Sequence, residues 1–266
     1  MAYAQEYQRP IPGAVATHGV SDRVDFLRKT YAHLGVALLG WAALTMVLLQ
    51  FATSFSLKMG MWALGVPNGS RWNWLIVLVL FMGVGKLAAW LAQSQKSQAV
   101  QYGGLALMVV AEALLLQPLL WVLIVKFGGR DALAAGAGGE LVMSAKATSI
   151  LAQAAVITAT IFGGLTAVVF ITKKDFSFLR GILTIGSFAL IGVILASIIF
   201  GFSTGALLTG FAVLLCAGTI LYETSAVMQH FPPSYHVAAA LMLFSSVATL
   251  FWNILSLLIQ LQGNRD

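Results

Sequence analysis

Apolar residues fall in long runs along this chain, and polar positions are confined to the short stretches between them. Seven runs are long enough to cross hydrocarbon as helices. About 20 residues are needed there, because every backbone N–H and C=O must bond within its own segment. They read as Leu34–Phe55, Trp74–Ala92, Leu105–Val125, Ile150–Ile171, Phe178–Phe200, Ala206–Met228 and Val237–Leu261. The pattern predicts an all-α, polytopic membrane protein. Residues 1–30 are expected to form a polar cytoplasmic tail and residues 31–262 a seven-helix transmembrane domain. Five residues, Gly201 to Gly205, join the fifth and sixth runs, which predicts a tight antiparallel hairpin. The Gly- and Ala-rich stretch from Phe127 to Thr148 predicts a mobile loop with room for a short interfacial helix. Gly163 and Gly164, inside the fourth run, predict close helix packing through small residues. Trp72 and Trp74 fit an interfacial aromatic belt.

Composition sharpens this picture. Of 266 residues, 59% are hydrophobic and 9% charged, more apolar surface than a soluble fold of this size can hide. The length suits one bundle without a second soluble domain. A net charge of +6 could suggest nucleic acid, but the basic residues sit at helix ends and in short loops. That is the positive-inside pattern, so the lipid bilayer is the expected partner and nucleic acid is not. With the amino terminus in the cytoplasm, Arg9, Arg23, Arg28, Lys29, Lys96, Lys173, Lys174 and Arg180 lie inside. Lys58, Arg71, Lys126, Arg130, Lys146 and Arg265 lie outside, as does the carboxyl terminus. The first 20 residues lack the apolar core of a cleavable signal, so the first run is expected to be retained and to direct insertion. The QGNRD ending carries no organelle-retention signal, and a bacterial inner membrane is the expected site. Cys216 lies in an apolar run and reads as a packing residue. His18, His33, His230 and His236 show no metal-ligand spacing, and His33 has no obvious partner.

Three ionisable residues break the apolar runs: Lys86 in the second, Glu112 in the third and Glu223 near the inner end of the sixth. A charge in hydrocarbon is costly and marks a candidate site. Glu112 reads as a cation or proton site, or as a carboxyl bonded to a neighbouring helix. Lys86 either snorkels toward the inner interface or pairs with Glu223 or Glu112. Glu223 lies roughly one and a half turns from the end of its run, ~7–8 Å at helical rise, within reach of cytoplasmic water. Thr224 and Ser225 add hydroxyl oxygens beside it, and these groups could also simply satisfy one another and the backbone.

These residues lie in segments that resemble the Bax inhibitor-1 (transmembrane Bax inhibitor motif) family. The ILYETS segment, Ile220 to Ser225, is similar to that family's ILYDTS. FLRKTYAHLGVAL (from Phe26) looks like the start of its first helix, and QYGGLALMVVAEALLLQPLL (from Gln101) like its third. TATIFGGLTAVVFITKKDFSFLRGIL (from Thr158) looks like its fourth-to-fifth helix junction. The likeness runs in order from Phe26 to Leu258. It implies seven helices with the last one central, and a pH-sensitive calcium leak. It also implies a pH sensor of two aspartates, on the sixth and seventh helices, that share a proton. Here Glu223 stands at the first position. At the second, the family's LYLDIxNLF is replaced by LFSSVATLF, so Ser246 takes the place of the aspartate and Thr249 that of the asparagine. Ser246 can hydrogen-bond to Glu223 but does not titrate near neutral pH.

The expected gate is therefore a single carboxylate, Glu223, closed through bonds to the seventh helix and to Lys86. Calcium takes about six to eight oxygen ligands, so Glu223 offers at most a weak calcium site, and calcium enters only as a transported ion. No cofactor is expected. The alternative is a non-conducting regulatory protein that binds other membrane proteins or a protease under stress. An enzyme is not expected, since no Ser/His pair, facing aspartates or metal motif lies at membrane depth.

Overall fold

The computed structural model describes residues 13–66, 70, 72–94, 97–202 and 205–263. The tail up to residue 12, Arg9, Arg71, Lys96, Arg265 and the middle of the 201–205 turn lie outside the described residues. Among those described, the regular structure is helical: α1 (Val20–Gln50), α2 (Thr53–Ala63), α3 (Trp72–Ala92), α4 (Gln98–Ala137), α5 (Ala145–Thr172), α6 (Leu179–Phe200), α7 (Ala206–Gln229) and α8 (His236–Gly263). All but α2 are long and apolar enough to cross a membrane, which gives the seven expected spans.

α1 starts about four turns before the first apolar run, inside the expected tail. Its buried positions are Phe26, Thr30, Leu34, Ala37, Trp41, Thr45 and Leu49, one stripe at intervals of three or four residues. That helical period holds across the polar-looking start of the helix, where mean hydropathy falls. The chain is anchored still earlier: Val15 is buried, and its N–H donates to the Phe231 carbonyl at 2.8 Å.

The end of the first run, expected to stay in the same helix through Phe55, breaks instead at Phe51–Ala52. The Thr53 hydroxyl caps the break by donating to the Leu49 carbonyl at 2.6 Å. From there α2 folds onto α4 through a buried polar cluster. Ser56 Oγ donates to Gln117 Oε1 at 2.6 Å and accepts from Trp121 Nε1 at 2.8 Å, while Gln117 Nε2 donates to the Ala113 carbonyl at 2.9 Å. Glycines let the backbones close around this cluster. A Cβ at Gly60 would lie 3.2 Å from Trp121 Cδ1, and one at Gly136 would run into the Trp121 ring. Gly136 reaches that place because α4 kinks at Gly129, whose φ of 68° and ψ of −159° suit glycine alone. The stretch expected to be a mobile loop after Phe127 is thus helical up to Ala137, and Ser144 caps α5 by accepting from Ala147 N–H.

α8 packs against α1, α3, α4, α5 and α7, and α6 packs on α7 while burying none of its own residues. The α6–α7 hairpin is close at two reciprocal points: Leu215 fills the space at Gly186, and Leu183 fills the space at Gly218. Gly163 and Gly164 do not serve the packing predicted for them. Both are exposed with no neighbour within 4 Å, because α5 packs through Ala147, Ile150, Ala154 and Thr158 on another face.

Substituting Ser56→Ala leaves the Trp121 N–H and Gln117 Oε1 without partners in a dry site. The expected loss is about 1–2 kcal/mol, measured as a fall in the thermal unfolding midpoint of the protein in detergent.

Candidate functional site

Two neighbouring serines on α8 each receive a carboxylate from a different helix. The Ser246 hydroxyl donates to Glu223 Oε2 of α7 at 2.5 Å. The Ser245 hydroxyl donates to Glu112 Oε1 of α4 at a much longer 3.5 Å. Successive residues on a helix point about 100° apart, so a doublet can serve two flanking helices at one level. Glu112 is buried, with 5% of its surface exposed, and Glu223 is half-buried.

Glu223 lines two separate spaces. One is a cavity of about 490 Å³ between α3, α4, α7 and α8, which Lys86, Gln93, Ser245 and Ser246 also line. The other is a groove of about 350 Å³ between α6 and α7, lined also by Arg180, Thr184, Ser187 and Thr219. The carboxyl thus stands in the wall between a lysine-bearing cavity and an arginine-bearing groove.

Several sequence expectations are corrected here. Lys86 shares the cavity with Glu223, but it is exposed and makes no ion pair with Glu223 or Glu112 among the described residues. Its exposure fits the snorkelling alternative. Thr224 and Ser225 do not join Glu223, since consecutive helix residues diverge. Thr224 is fully buried beside Tyr31, and the buried hydroxyls of Thr224, Tyr31 and Thr166 make no hydrogen bond. Ser225 instead clamps the connection between α5 and α6, accepting from Phe176 N–H at 3.0 Å and donating to the Lys174 carbonyl at 3.4 Å. Thr249 turns its hydroxyl to the Ser245 carbonyl of its own helix at 2.8 Å. Of the residues proposed from sequence, Ser246 alone reaches Glu223.

Ser245 and Arg180 were missed. The Ser245-Ser246 doublet was visible in the last apolar run, where the family pattern carries a leucine before its aspartate. Arg180 was read only as an orientation charge. His33, expected to have no partner, accepts or donates at 3.2 Å with the Tyr102 hydroxyl, stacks on that ring at 5.4 Å and lies 5.2 Å from the His236 ring. At the same end of α7, His230 Nε2 lies 3.7 Å from the Asp175 carboxylate. Cys216 packs as expected, with Asn253 Nδ2 at 3.6 Å from its sulfur. No group of three or more His, Cys, Asp or Glu side chains suited to a metal ion occurs among the described residues.

The two serine–carboxylate contacts differ enough to be separated by double-mutant cycles on unfolding in detergent. Glu223→Gln with Ser246→Ala is expected to couple by about 1–2 kcal/mol, as a short bond to an acid group does. Glu112→Gln with Ser245→Ala is expected to couple by under ~0.5 kcal/mol, because its geometry is at the limit of a hydrogen bond.

Comparison with known proteins places the chain in a family. The family described as "Inhibitor of apoptosis-promoting Bax1" matches residues 23–264. An uncharacterized protein of Pseudomonas aeruginosa is 39% identical over 111 residues, 41% of this chain and 49% of that protein. An uncharacterized membrane protein of Vibrio cholerae is 31% identical over 118 residues, 44% of this chain and 52% of that one. Bax inhibitor 1 of Schizosaccharomyces pombe is 36% identical over 120 residues, 43% of this chain and 44% of the yeast protein. The chain spans about half the length of the curated relatives it matches. The match to the family covers nearly the whole seven-span domain, and the chain is an integral membrane protein that belongs to the Bax inhibitor-1 family.

Proposed function

We propose that this protein forms a pH-sensitive cation leak, calcium included, gated by the single carboxylate of Glu223. The observation that carries this reading is the position of Glu223 in the wall shared by the α3–α8 cavity and the α6–α7 groove. Its bond to Ser246 fastens α7 to α8 at that wall. Loss of the bond frees the carboxyl and lets the two spaces join. The charged groups that line the spaces beside Glu223 are Lys86 on the cavity side and Arg180 on the groove side, so a change in its protonation alters a local balance of one acid between two bases.

Selectivity for calcium is expected to be weak. A divalent ion at Glu223 would find one carboxylate and the Ser245 and Ser246 hydroxyls, short of the six to eight oxygens it prefers, and two nearby cations oppose it. The reading places the protein in a bacterial inner membrane with its amino terminus in the cytoplasm. It needs no cofactor and no catalytic chemistry.

A second reading is a non-conducting regulator that binds other membrane proteins or a protease. It is favoured by α6, which buries none of its residues and presents Ile182, Ile185 and Phe188 outward. An apolar face of that kind suits lipid or a partner helix equally.

Flux of calcium, potassium and protons through the purified protein in liposomes, compared across pH, tests the gate. Ser246→Ala is expected to raise leak at the closed-state pH about tenfold, as loss of ~1.4 kcal/mol of closure implies. Glu223→Gln is expected to flatten the pH profile. Unchanged leak and an unchanged pH profile in Glu223→Gln would falsify the gate. Absence of flux in the wild type, together with copurification of a membrane partner, would favour the regulator.

Ser246→Asp restores a second carboxylate opposite the first. It is expected to steepen the pH response and to raise calcium flux relative to potassium in the same vesicles, because a shared proton and an added anionic ligand return together.

A further inference from the structure

On the other side of α8, away from Glu223, lies a second space of about 390 Å³ with almost wholly apolar walls. It is a wedge between α1 and α5. The two helices meet at Tyr31 and Phe170, whose rings are 5.7 Å apart, and part beyond that contact. Among the lining residues of these two helices, the exposed alanines Ala42 on α1 and Ala155 and Ala159 on α5 leave room between larger neighbours such as Leu38, Met46 and Phe162. α4 and α8 close the back through residues such as Leu116 and Phe251. The opening therefore faces the lipid.

Two polar side chains in this wedge have no partner. The Trp41 Nε1–H and the Thr45 hydroxyl are buried without a hydrogen bond, although the two residues are 8% and 7% exposed and both line the space. They stand one turn apart on the same face of α1. Thr158, across the wedge, returns its hydroxyl to the Ala154 carbonyl at 2.7 Å, as a threonine in a helix commonly does. Thr45 does not. Trp41 is held by edge-to-face packing on Phe244 and Phe251, with centroids 6.1 and 5.4 Å away. An indole N–H only donates, and leaving it unpaired in a dry site is costly.

We infer that the α1–α5 wedge is a binding site for a chain-like apolar molecule of the bilayer that carries a carbonyl acceptor part-way along its length. The exposed rim alanines leave room for hydrocarbon from the membrane, and the unpaired donors of Trp41 and Thr45, buried in residues of the wall, are the groups a carbonyl would satisfy. The hydrocarbon walls favour apolar arms on both sides of that group. A trapped water would answer the two donors but not the apolar walls.

The test is thermal unfolding of the full-length protein in detergent, with dihexyl ketone as the probe and tridecane as the hydrocarbon of equal length. The ketone is expected to raise the unfolding midpoint roughly 3 °C more than the alkane. That advantage disappears in the double variant Trp41→Phe, Thr45→Val, which keeps an aromatic ring at 41 and the side-chain volume at 45 while removing both donors. Ala155→Leu, at an exposed rim position, is expected to weaken the effect of both compounds by filling the mouth. Equal shifts for ketone and alkane in the wild type, or no shift with either, overturn the proposal and leave a lipid- or water-filled gap. So does a ketone advantage that survives the double variant. Should that variant not fold, the wild-type comparison of ketone with alkane decides by itself.

Discussion

Hydrocarbon offers no water to a polar side chain, so each one placed there must find its partner within the bundle. The paired serines of α8 answer that requirement for the two acids, one on each flanking helix. The Ser56–Gln117–Trp121 cluster answers it between α2 and α4. These contacts specify more than they stabilise. Apolar packing between helices is nearly interchangeable with packing against lipid, whereas a buried acid fixes which face of α8 must meet α4 and which must meet α7. The Ser246–Glu223 bond therefore adds a specific polar tie to the register that the buried apolar residues of the last helix set.

The same constraint explains why the apolar runs alone were enough to reveal the spans and not enough to reveal their details. Seven runs gave seven spans because each backbone must satisfy itself over the membrane thickness. The start of α1 was hidden because hydropathy averages over Ser21, Asp22, Arg23, Asp25, Arg28 and Lys29, while the buried stripe that begins at Phe26 keeps its period past Arg28 and Lys29 to Thr30 and Leu34. α2 was hidden for the opposite reason. It follows α1 without a polar gap, and only the break at Ala52 separates them. The stretch after Gly129 holds the short helix for which the expected loop left room, and its glycines serve structure: one provides the kink and another the space for Trp121.

At the candidate site, Glu223 and Ser246 were legible because a resemblance fixed their alignment. Thr224 and Ser225 were assigned to Glu223 by adjacency in sequence, which on a helix sends side chains in different directions. Lys86 was offered as a partner because opposite charges in one membrane attract. A long side chain near an opening has a cheaper course, since it can reach a hydrated boundary and avoid the desolvation that a buried pair demands. Ser245 and Arg180 needed the fold itself, because their relevance lies in which neighbour stands beside them.

The exchange at Glu223 and Ser246 keeps the reach of the pair that the family resemblance implies while changing its chemistry. Relative to two aspartates, glutamate adds one methylene on α7 and serine removes one atom on α8. The longer acid offsets the shorter hydroxyl side chain, and the contact closes at 2.5 Å. What changes is the proton count. Two acids in contact exchange a proton between them, and that exchange sets a titration belonging to the pair. An acid and a hydroxyl have one titrating group between them, and the basic residues that line the two spaces beside it are Lys86 and Arg180. The Ser246–Glu223 contact still joins α7 to α8, but it holds no shared proton.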